Sequence, residues 1–504
     1  ELAERYTTLS SLDWALSDAA TEAAREACQL GIEADRLPEL QALLSAVLRP
    51  QPALRTAAAL IAENRLGQSD LWSLGISGDH PILAMRMGDA QKTELLRVLV
   101  AAHQLWRRHG VTVEFIVLYT GISGYVEPIR EWLIEALRDA GAQDFLGRNG
   151  GIHLVFADQA GADRALLVEI AAHAVLDEMA GSLHQQLARL DVLPVEGPRF
   201  EPTGPFGLIE EAAPELPRPD GLLFDNGFGG FNPKGDEYVI HIEPDDPPPA
   251  PWSNVLANEN FGSIVTEAGL GWSWAVNSGE NRLTPWSNDP IADTQAEALY
   301  LRDEESARVW TPTPLPAGND SACRVRHGTG YTIWEKTSEG LAQELAVFVP
   351  GGDPVKIVRL RVRNLLPRPR RITATYYTEW LLGAVAGQPN PLLLAEYDAG
   401  AHALLASNRW NSEFADRVAF LTSTLPPHSL TTSRSDFFGR HGDARRPEAL
   451  LKWDLGGRLE SAGDCCAAFQ VHLDIGADKT GEIVFVLGQG DDRAHALRLA
   501  KRWQ

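Results

Sequence analysis

Periodicity and composition predict an α+β multidomain chain, with an N-terminal helical and small α/β layer followed by a large antiparallel β-sandwich. Three observations carry this reading. At 504 residues the chain is too long for one core and suits roughly 3 domains of about 150 residues. Helical and strand-like stretches alternate as far as Leu190, as in α/β units. Beyond a proline-dense stretch from Pro194 to Pro251 the pattern turns to short apolar alternations separated by turn residues, the signature of antiparallel sheets.

The elements follow in order. Residues 1–67 are rich in Ala, Leu and Glu at helical spacing, broken by Pro38, Pro50 and Pro52, and read as a helical layer. Residues 68–193 read as a small α/β domain with a parallel or mixed sheet of at least three strands. Its strand-like runs are Pro81 to Met87, Val111 to Tyr119 and Gly151 to Ala157, and its helical runs are Gln91 to Arg108, Glu127 to Ala140 and Ala162 to Leu190. Residues 194–221 form a Pro-rich linker. From 222 to 490, runs such as Tyr238 to Ile242, Gln343 to Val349, Lys356 to Val362, Arg371 to Tyr377, Ala415 to Leu421 and Cys466 to Leu473 predict the sandwich. Asp492 to Trp503 reads as a helix without a capping signal after it, and a longer parent protein is expected.

Charge and composition narrow the function. With 45 Lys and Arg against 68 Asp and Glu the net charge is -23, which repels phosphate backbones, so nucleic acid is not an expected partner. No apolar stretch approaches the roughly 18 residues of a membrane helix, so no membrane contact by this segment is expected. Cys28, Cys323, Cys465 and Cys466 have no metal spacing and read as reduced thiols in a cytoplasm-like compartment.

The string Gly-Ile-Ser-Gly, at Gly75 to Gly78 and again at Gly121 to Gly124, reads as a pair of coincidental turns, while the turns of the α/β unit as a class invite a nucleotide reading. They supply neither GxGxxG nor GxxxxGK[ST], and a scaffold role is the expectation. His103, His109, His153, His173 and His184 lack a convergent spacing, and no metal and no cofactor are expected. Arg368, Arg370 and Arg371 read as a solvated strand end rather than a phosphate cradle, and Trp310, Trp334, Trp380, Trp410 and Trp453 as core.

The densest polar and aromatic segment runs from Asn254 to Tyr300. It gathers Trp272, Trp274 and Trp286 with Asn277, Glu280, Asn281, Arg282, Asn288 and Asp289. Sugars present apolar C–H faces ringed by hydroxyls, so a sugar site needs indole plates beside amide, carboxylate and guanidinium groups. Trp272 and Trp274 sit two apart, which in a strand points both indoles to one face. The competing reading makes the tryptophans sandwich core and the polar residues an Asx-turn loop. Glycosidic chemistry further needs carboxylates, for which Glu267, Glu280, Asp289, Glu379 and Asp398 are candidates. Spacing alone brings no two of them together, and a free-standing β-glucan hydrolase using Glu280 and Asp289 stays open as the rival function.

Several linked strings resemble a known family. Asn226-Gly-Phe-Gly-Gly-Phe231, Gly235-Asp-Glu-Tyr-Val-Ile240, Asn281-Arg-Leu-Thr-Pro-Trp-Ser-Asn-Asp-Pro290, Ala298-Leu-Tyr-Leu-Arg-Asp303, Trp310-Thr-Pro-Thr-Pro-Leu315 and Arg326-His-Gly328 resemble the N-terminal sandwich of family 94 glycoside phosphorylases, formerly glycosyltransferase family 36. They are similar in particular to the carboxy-terminal phosphorylase-like region of bacterial cyclic β-1,2-glucan synthetases. Asn64-Arg-Leu-Gly-Gln68, Leu71-Trp72 and Gly75-Ile-Ser-Gly-Asp79 extend the resemblance upstream.

The resemblance implies that the sandwich is a supersandwich, followed by a linker helix starting at 491–504 and an (α/α)6 barrel beyond it that carries the catalytic acid. No catalytic residue then falls on this chain. It further implies a β-glucan oligosaccharide and the missing catalytic barrel as partners, a homodimer, inorganic phosphate for a phosphorolytic parent, and a parent anchored in a bacterial inner membrane with this segment on the cytoplasmic side. A purely structural or oligomer-forming module is the remaining alternative.

Overall fold

The computed structural model describes residues 6–88, 94–121, 126–191, 197–204, 216–244, 246–386, 390–439 and 442–504. The chain divides into two units, Glu1–Pro194 and Val195–Gln504.

The first unit opens with the helix Leu9–Gln29, capped by Thr8, whose hydroxyl accepts from Ser11 N. The helix Leu37–Leu48 then turns Leu40, Leu43 and Val47 into the core. Four strands follow: β1 (Ile82–Met87), β2 (Glu114–Tyr119), β3 (Ile152–Phe156) and β4 (Ala174–Asp177). They form one parallel sheet in the order β3-β2-β1-β4. Helices Glu94–Arg108, Val126–Asp139 and Ala162–Ala171 make the crossovers, as parallel neighbours require.

The run Ala162 to Leu190, read as one helical stretch, contains β4 and ends in the short helix Leu183–Leu187. Four apolar-flanked residues are too few to break a helical period, so this strand is invisible to periodicity. Residues 91–93 of the expected helix, and residues 122–124 of the second Gly-Ile-Ser-Gly string, lie outside the described residues.

The second unit is built from antiparallel strands: β5 (Gly229–Phe231), β6 (Glu237–Ile242), β7 (Ser253–Ala257), β8 (Phe261–Thr266), β9 (Trp272–Ala275), β10 (Glu297–Asp303), β11 (Val309–Trp310), β12 (Cys323–Gly328), β13 (Tyr331–Ser338), β14 (Leu341–Phe348) and β15 (Val355–Asn364). The series continues with β16 (Arg370–Glu379), β17 (Leu393–Asp398), β18 (Ala403–Asn408), β19 (Val418–Ser423), β20 (Ser429–Ser433), β21 (Cys465–Ile475) and β22 (Thr480–Gly490).

A ten-stranded sheet, β17-β18-β19-β22-β15-β14-β13-β12-β6-β5, faces a five-stranded sheet, β11-β10-β16-β21-β20. Trp334, Leu360 and Phe485 from the first meet Leu301, Tyr376 and Phe469 from the second in one core. Alternate residues of β13 are buried, the period-two pattern of a strand with one face on the core. A smaller sheet, β7-β8-β9, packs into the same core through Leu256, Phe261 and Val265. The helix Arg493–Trp503, capped by the Asp492 carboxylate, buries Ala496, Leu499 and Ala500 in a cluster with Val355, Phe420 and Val486.

The stretch 197–204, read from sequence as linker, is pinned to the sandwich. Phe200 N donates to Leu451 O at 2.9 Å and Trp453 N to Pro198 O at 3.0 Å. The Phe200 ring stacks on Trp453 at 6.0 Å and lies 4.1 Å from the guanidinium carbon of buried Arg302. Trp453, expected in the core, is 45% exposed because it serves this clip. Most of the remaining linker, residues 205–215, lies outside the described residues. Trp310, Trp334 and Trp380 are core, as the sequence predicts, whereas Trp410 is half-buried. Arg370, expected at a solvated strand end, is buried and pairs with Asp303 at 3.0 Å.

One buried polar cluster joins all three sheets. Lys356 of β15 and Glu297 of β10 are both fully buried, with Nζ and Oε2 3.1 Å apart. Lys356 also donates to Ser263 Oγ of β8 at 3.0 Å and to Leu270 O at 2.7 Å. Glu297 accepts from Tyr376 of β16 at 2.6 Å, Ser273 of β9 at 2.6 Å and Thr284 at 3.2 Å. Burial pushes the Lys356 ammonium down from the ordinary lysine value, and the attraction of Glu297 opposes that shift. Removing one partner strands the other charge in an apolar core, a loss of about 3–5 kcal/mol. Glu297→Leu is therefore expected to lower the unfolding free energy from urea titration by that amount, seen as a lower midpoint, and an unchanged midpoint contradicts the cluster's role.

Candidate functional site

The Asn254 to Tyr300 segment forms a hairpin and a long loop. In the β8–β9 pair, Ile264 faces Trp272, Ser263 faces Ser273 and Gly262 faces Trp274. Strand alternation sends Ser273 down to Glu297 and both indoles to the other side. Their ring centroids are 4.9 Å apart. The loop then folds back and stacks Trp286 on Trp272 at 5.2 Å with the planes 13° apart. The Arg282 guanidinium carbon lies 5.6 Å from the Trp272 ring and 5.9 Å from that of Trp286, within cation–π range.

The three indoles differ in access. Trp272 is 4% exposed and Trp286 is 39% exposed, while Trp274 is half-buried. Trp274 lies flat on Gly262, where an added Cβ would sit 2.1 Å from Trp274 Cζ2. Only glycine allows that approach.

Hydrogen bonds hold the loop at both flanks. Val276 closes a tight turn at φ +64, with Asn277 N donating to Ala275 O at 2.7 Å. A β-branched residue rarely adopts this conformation, and such strain gathers at functional sites. Asn277 Oδ1 accepts from Gly279 N and Glu280 N. Asn281 is 1% exposed; its amide donates to Ala275 O at 2.9 Å and to Gln489 Oε1 of β22 at 2.7 Å. Arg282 and Gly383 exchange backbone hydrogen bonds at 3.1 Å each, and Asn411 donates to Glu280 O. Asn288 is exposed at φ +50.

The structure thus brings Trp272, Trp274, Trp286 and Arg282 together, with Trp272 as the buried base of the stack. Asn277 is spent on the loop's own backbone, and Asn281 on the Ala275 carbonyl and the Gln489 side chain. Glu280, Asn288 and Asp289 are exposed on the same loop. Gln489, Asn411, Gly383 and Gly262 complete the support. Sequence reading missed them because their partners are distant in the chain, and only Gly262, a glycine inside a strand pattern, gave a local signal.

The carboxylates are arranged for structure. Asp289 accepts from Ala292 N at 3.1 Å and Ile291 N at 2.9 Å, and these bonds hold it below the usual carboxylate range. Glu379 pairs with Arg434 and Asp398 with Arg493. Glu267 is buried beneath the hairpin turn and accepts from Trp252 N at 2.6 Å.

In the α/β unit the Gly75 to Asp79 turn binds an anion of its own chain. Ser77 N, Ser77 Oγ and Gly78 N converge on the fully buried Glu114 carboxylate at 3.1, 3.0 and 3.1 Å. A backbone nest of this kind suits phosphate, but here it is filled from within. His103, His153 and His173 are buried, and burial lowers the pKa of each. His109 and His184 pair with Glu26 and Glu39. Among the described residues no group of three or more His, Cys, Asp or Glu could hold a metal ion.

Burial pushes Glu267 up to about 7, opposed by the Trp252 N–H and aided by the nearby Asp293 charge. In the unfolded chain this carboxyl ionises near 4.5. Between those values the folded state binds the extra proton, so stability falls as pH rises. Melting curves of Glu267→Gln and wild type are expected to coincide near the acid end of this window and diverge toward its top, with the variant the more stable. A constant difference contradicts the assignment.

Comparison with known proteins places this geometry in a family. Residues 236–504 match the family model described as glycosyl hydrolase 94, supersandwich domain. The cyclic β-(1,2)-glucan synthase NdvB of Rhizobium meliloti is 31% identical over 501 residues, which cover 97% of this chain and 18% of that protein. N,N'-diacetylchitobiose phosphorylase of Vibrio furnissii is 25% identical over 278 residues, 54% of this chain and 34% of the phosphorylase. Solabiose phosphorylase of Paenibacillus borealis is 25% identical over 285 residues, 54% of this chain and 36% of the enzyme. The chain therefore spans between 18% and 36% of the length of these relatives. Because the supersandwich model covers more than half of its residues, the chain belongs to glycosyl hydrolase family 94.

Proposed function

We propose that this chain is the sugar-binding, barrel-supporting part of a β-glucan-processing protein, contributing a binding wall for β-1,2-glucan rather than acid–base chemistry. The exposed Trp286 ring, stacked on buried Trp272 beneath Arg282, carries the reading. A stacked indole pair with one open member offers a rigid apolar plate to a sugar ring. Arg282 beside it, and the exposed Glu280, Asn288 and Asp289 of the same loop, offer donors and acceptors for hydroxyls. The similarity to a cyclic β-(1,2)-glucan synthase along nearly the whole chain supports the substrate class. The rival hydrolase loses ground because Asp289 is committed to its own loop.

A stacking indole contributes about 1 kcal/mol, several-fold in affinity. Trp286→Ala is expected to weaken binding of a β-1,2-glucan oligosaccharide several-fold, read by calorimetric titration, with little change in melting temperature. Trp272→Ala is expected to cost about 3–5 kcal/mol of stability, as core truncation does. Unaltered affinity in Trp286→Ala overturns the proposed wall. Incubation with sophorose and phosphate is expected to yield no glucose 1-phosphate from this chain, and no reducing ends without phosphate; either product favours a catalytic reading.

A further inference from the structure

The parallel-sheet unit holds a polar crevice that sugar binding leaves unused. Its floor is the β1–β4 pair. These strands are neighbours although the chain passes through β2 and β3 between them, so the connection leaving β1 and the one entering β4 run to opposite sides. Open parallel sheets leave a crevice at the carboxyl ends of their strands where the order reverses in this way. Here Arg86, near the end of β1, lies in register with Asp177 at the end of β4. Residues 53–56, Gln186 of the helix Leu183–Leu187 and Arg189 just beyond it complete the walls of a cavity of about 170 Å³. A water occupies about 30 Å³ in the liquid, so a tetrahedral oxyanion fits.

We propose that this cavity binds a phosphate group, free or as a monoester, among Arg55, Arg86 and Arg189, all of which line it. Glu169 orients Arg86 by accepting from Nε at 2.7 Å and from Nη2 at 2.5 Å. The Nη1 of Arg86 is 3.9 Å from Asp177 Oδ2, beyond hydrogen-bond length. Arg55 is anchored by donating from Nη2 to Ile170 O at 3.0 Å, and Arg189 is exposed on its turn. Gln186 is 1% exposed and fixes the wall by bonding both the N–H and the carbonyl of Asp177. Three guanidinium groups thus gather at one cavity in a chain whose net charge is -23. Planar guanidinium forks match phosphate oxygens in pairs, which a lone ammonium does not.

The test is calorimetric titration of the whole chain at low ionic strength with inorganic phosphate and, separately, with glycerol 3-phosphate. Saturable binding is expected, weakened at least fivefold by Arg189→Ala and abolished by Arg189→Glu, both surface changes whose folding is checked by circular dichroism. Tighter binding of the ester identifies an esterified ligand, and equal binding identifies free phosphate; either supports the site. Arg55→Gln supplies a second, independent reduction. Absence of saturable binding by the wild type, or binding that neither Arg189→Ala nor Arg55→Gln alters, overturns the proposal.

Discussion

The buried Lys356–Glu297 pair is the constraint on which the sandwich depends. A lone charge in that core is costly, and this pair is retained with its hydrogen bonds met by Ser263, Ser273, Thr284, Tyr376 and the Leu270 carbonyl. Each partner comes from a different element, so the network is complete only when all three sheets are in place. A well-packed apolar core could match its stability. The polar cluster adds register, because a strand displaced by one residue would bury an indole where Ser273 now meets Glu297.

The aromatic site is a consequence of that register. Fixing Ser273 inward fixes Trp272 and Trp274 outward, and the loop needs only to return Trp286 onto Trp272 to build the stack. Its return path is set by the Asn281–Gln489 bond and by the backbone pairing of Arg282 with Gly383. The strain at Val276 is tolerated because both flanks are held.

The sequence made the large divisions readable. Period-two alternation in Lys356 to Val362 and Cys466 to Leu473 marked β15 and β21 because each strand has a face on the core. The site was readable as a composition, aromatic plates among amides and carboxylates, but not as a geometry. Nothing local shows that Trp272 is covered by Trp286, that Asn281 is consumed by a strand far along the chain, or that Lys356 is buried with Glu297. The Gly75 to Asp79 turn was readable as anion-binding in kind, yet its anion, Glu114, comes from a strand packed against it. β4 went unseen because a four-residue strand leaves no period to detect.

The central claim is that the Trp286 plate, held by the Trp272 stack and Arg282, receives a glucose ring of a β-1,2-glucan. A crystal structure of the chain with a β-1,2-linked glucan oligosaccharide tests it most directly. The account predicts a sugar ring lying flat against the open face of Trp286, with hydroxyls within hydrogen-bond reach of Arg282. Oligosaccharide bound elsewhere on the sandwich, with Trp286 bare, would contradict it.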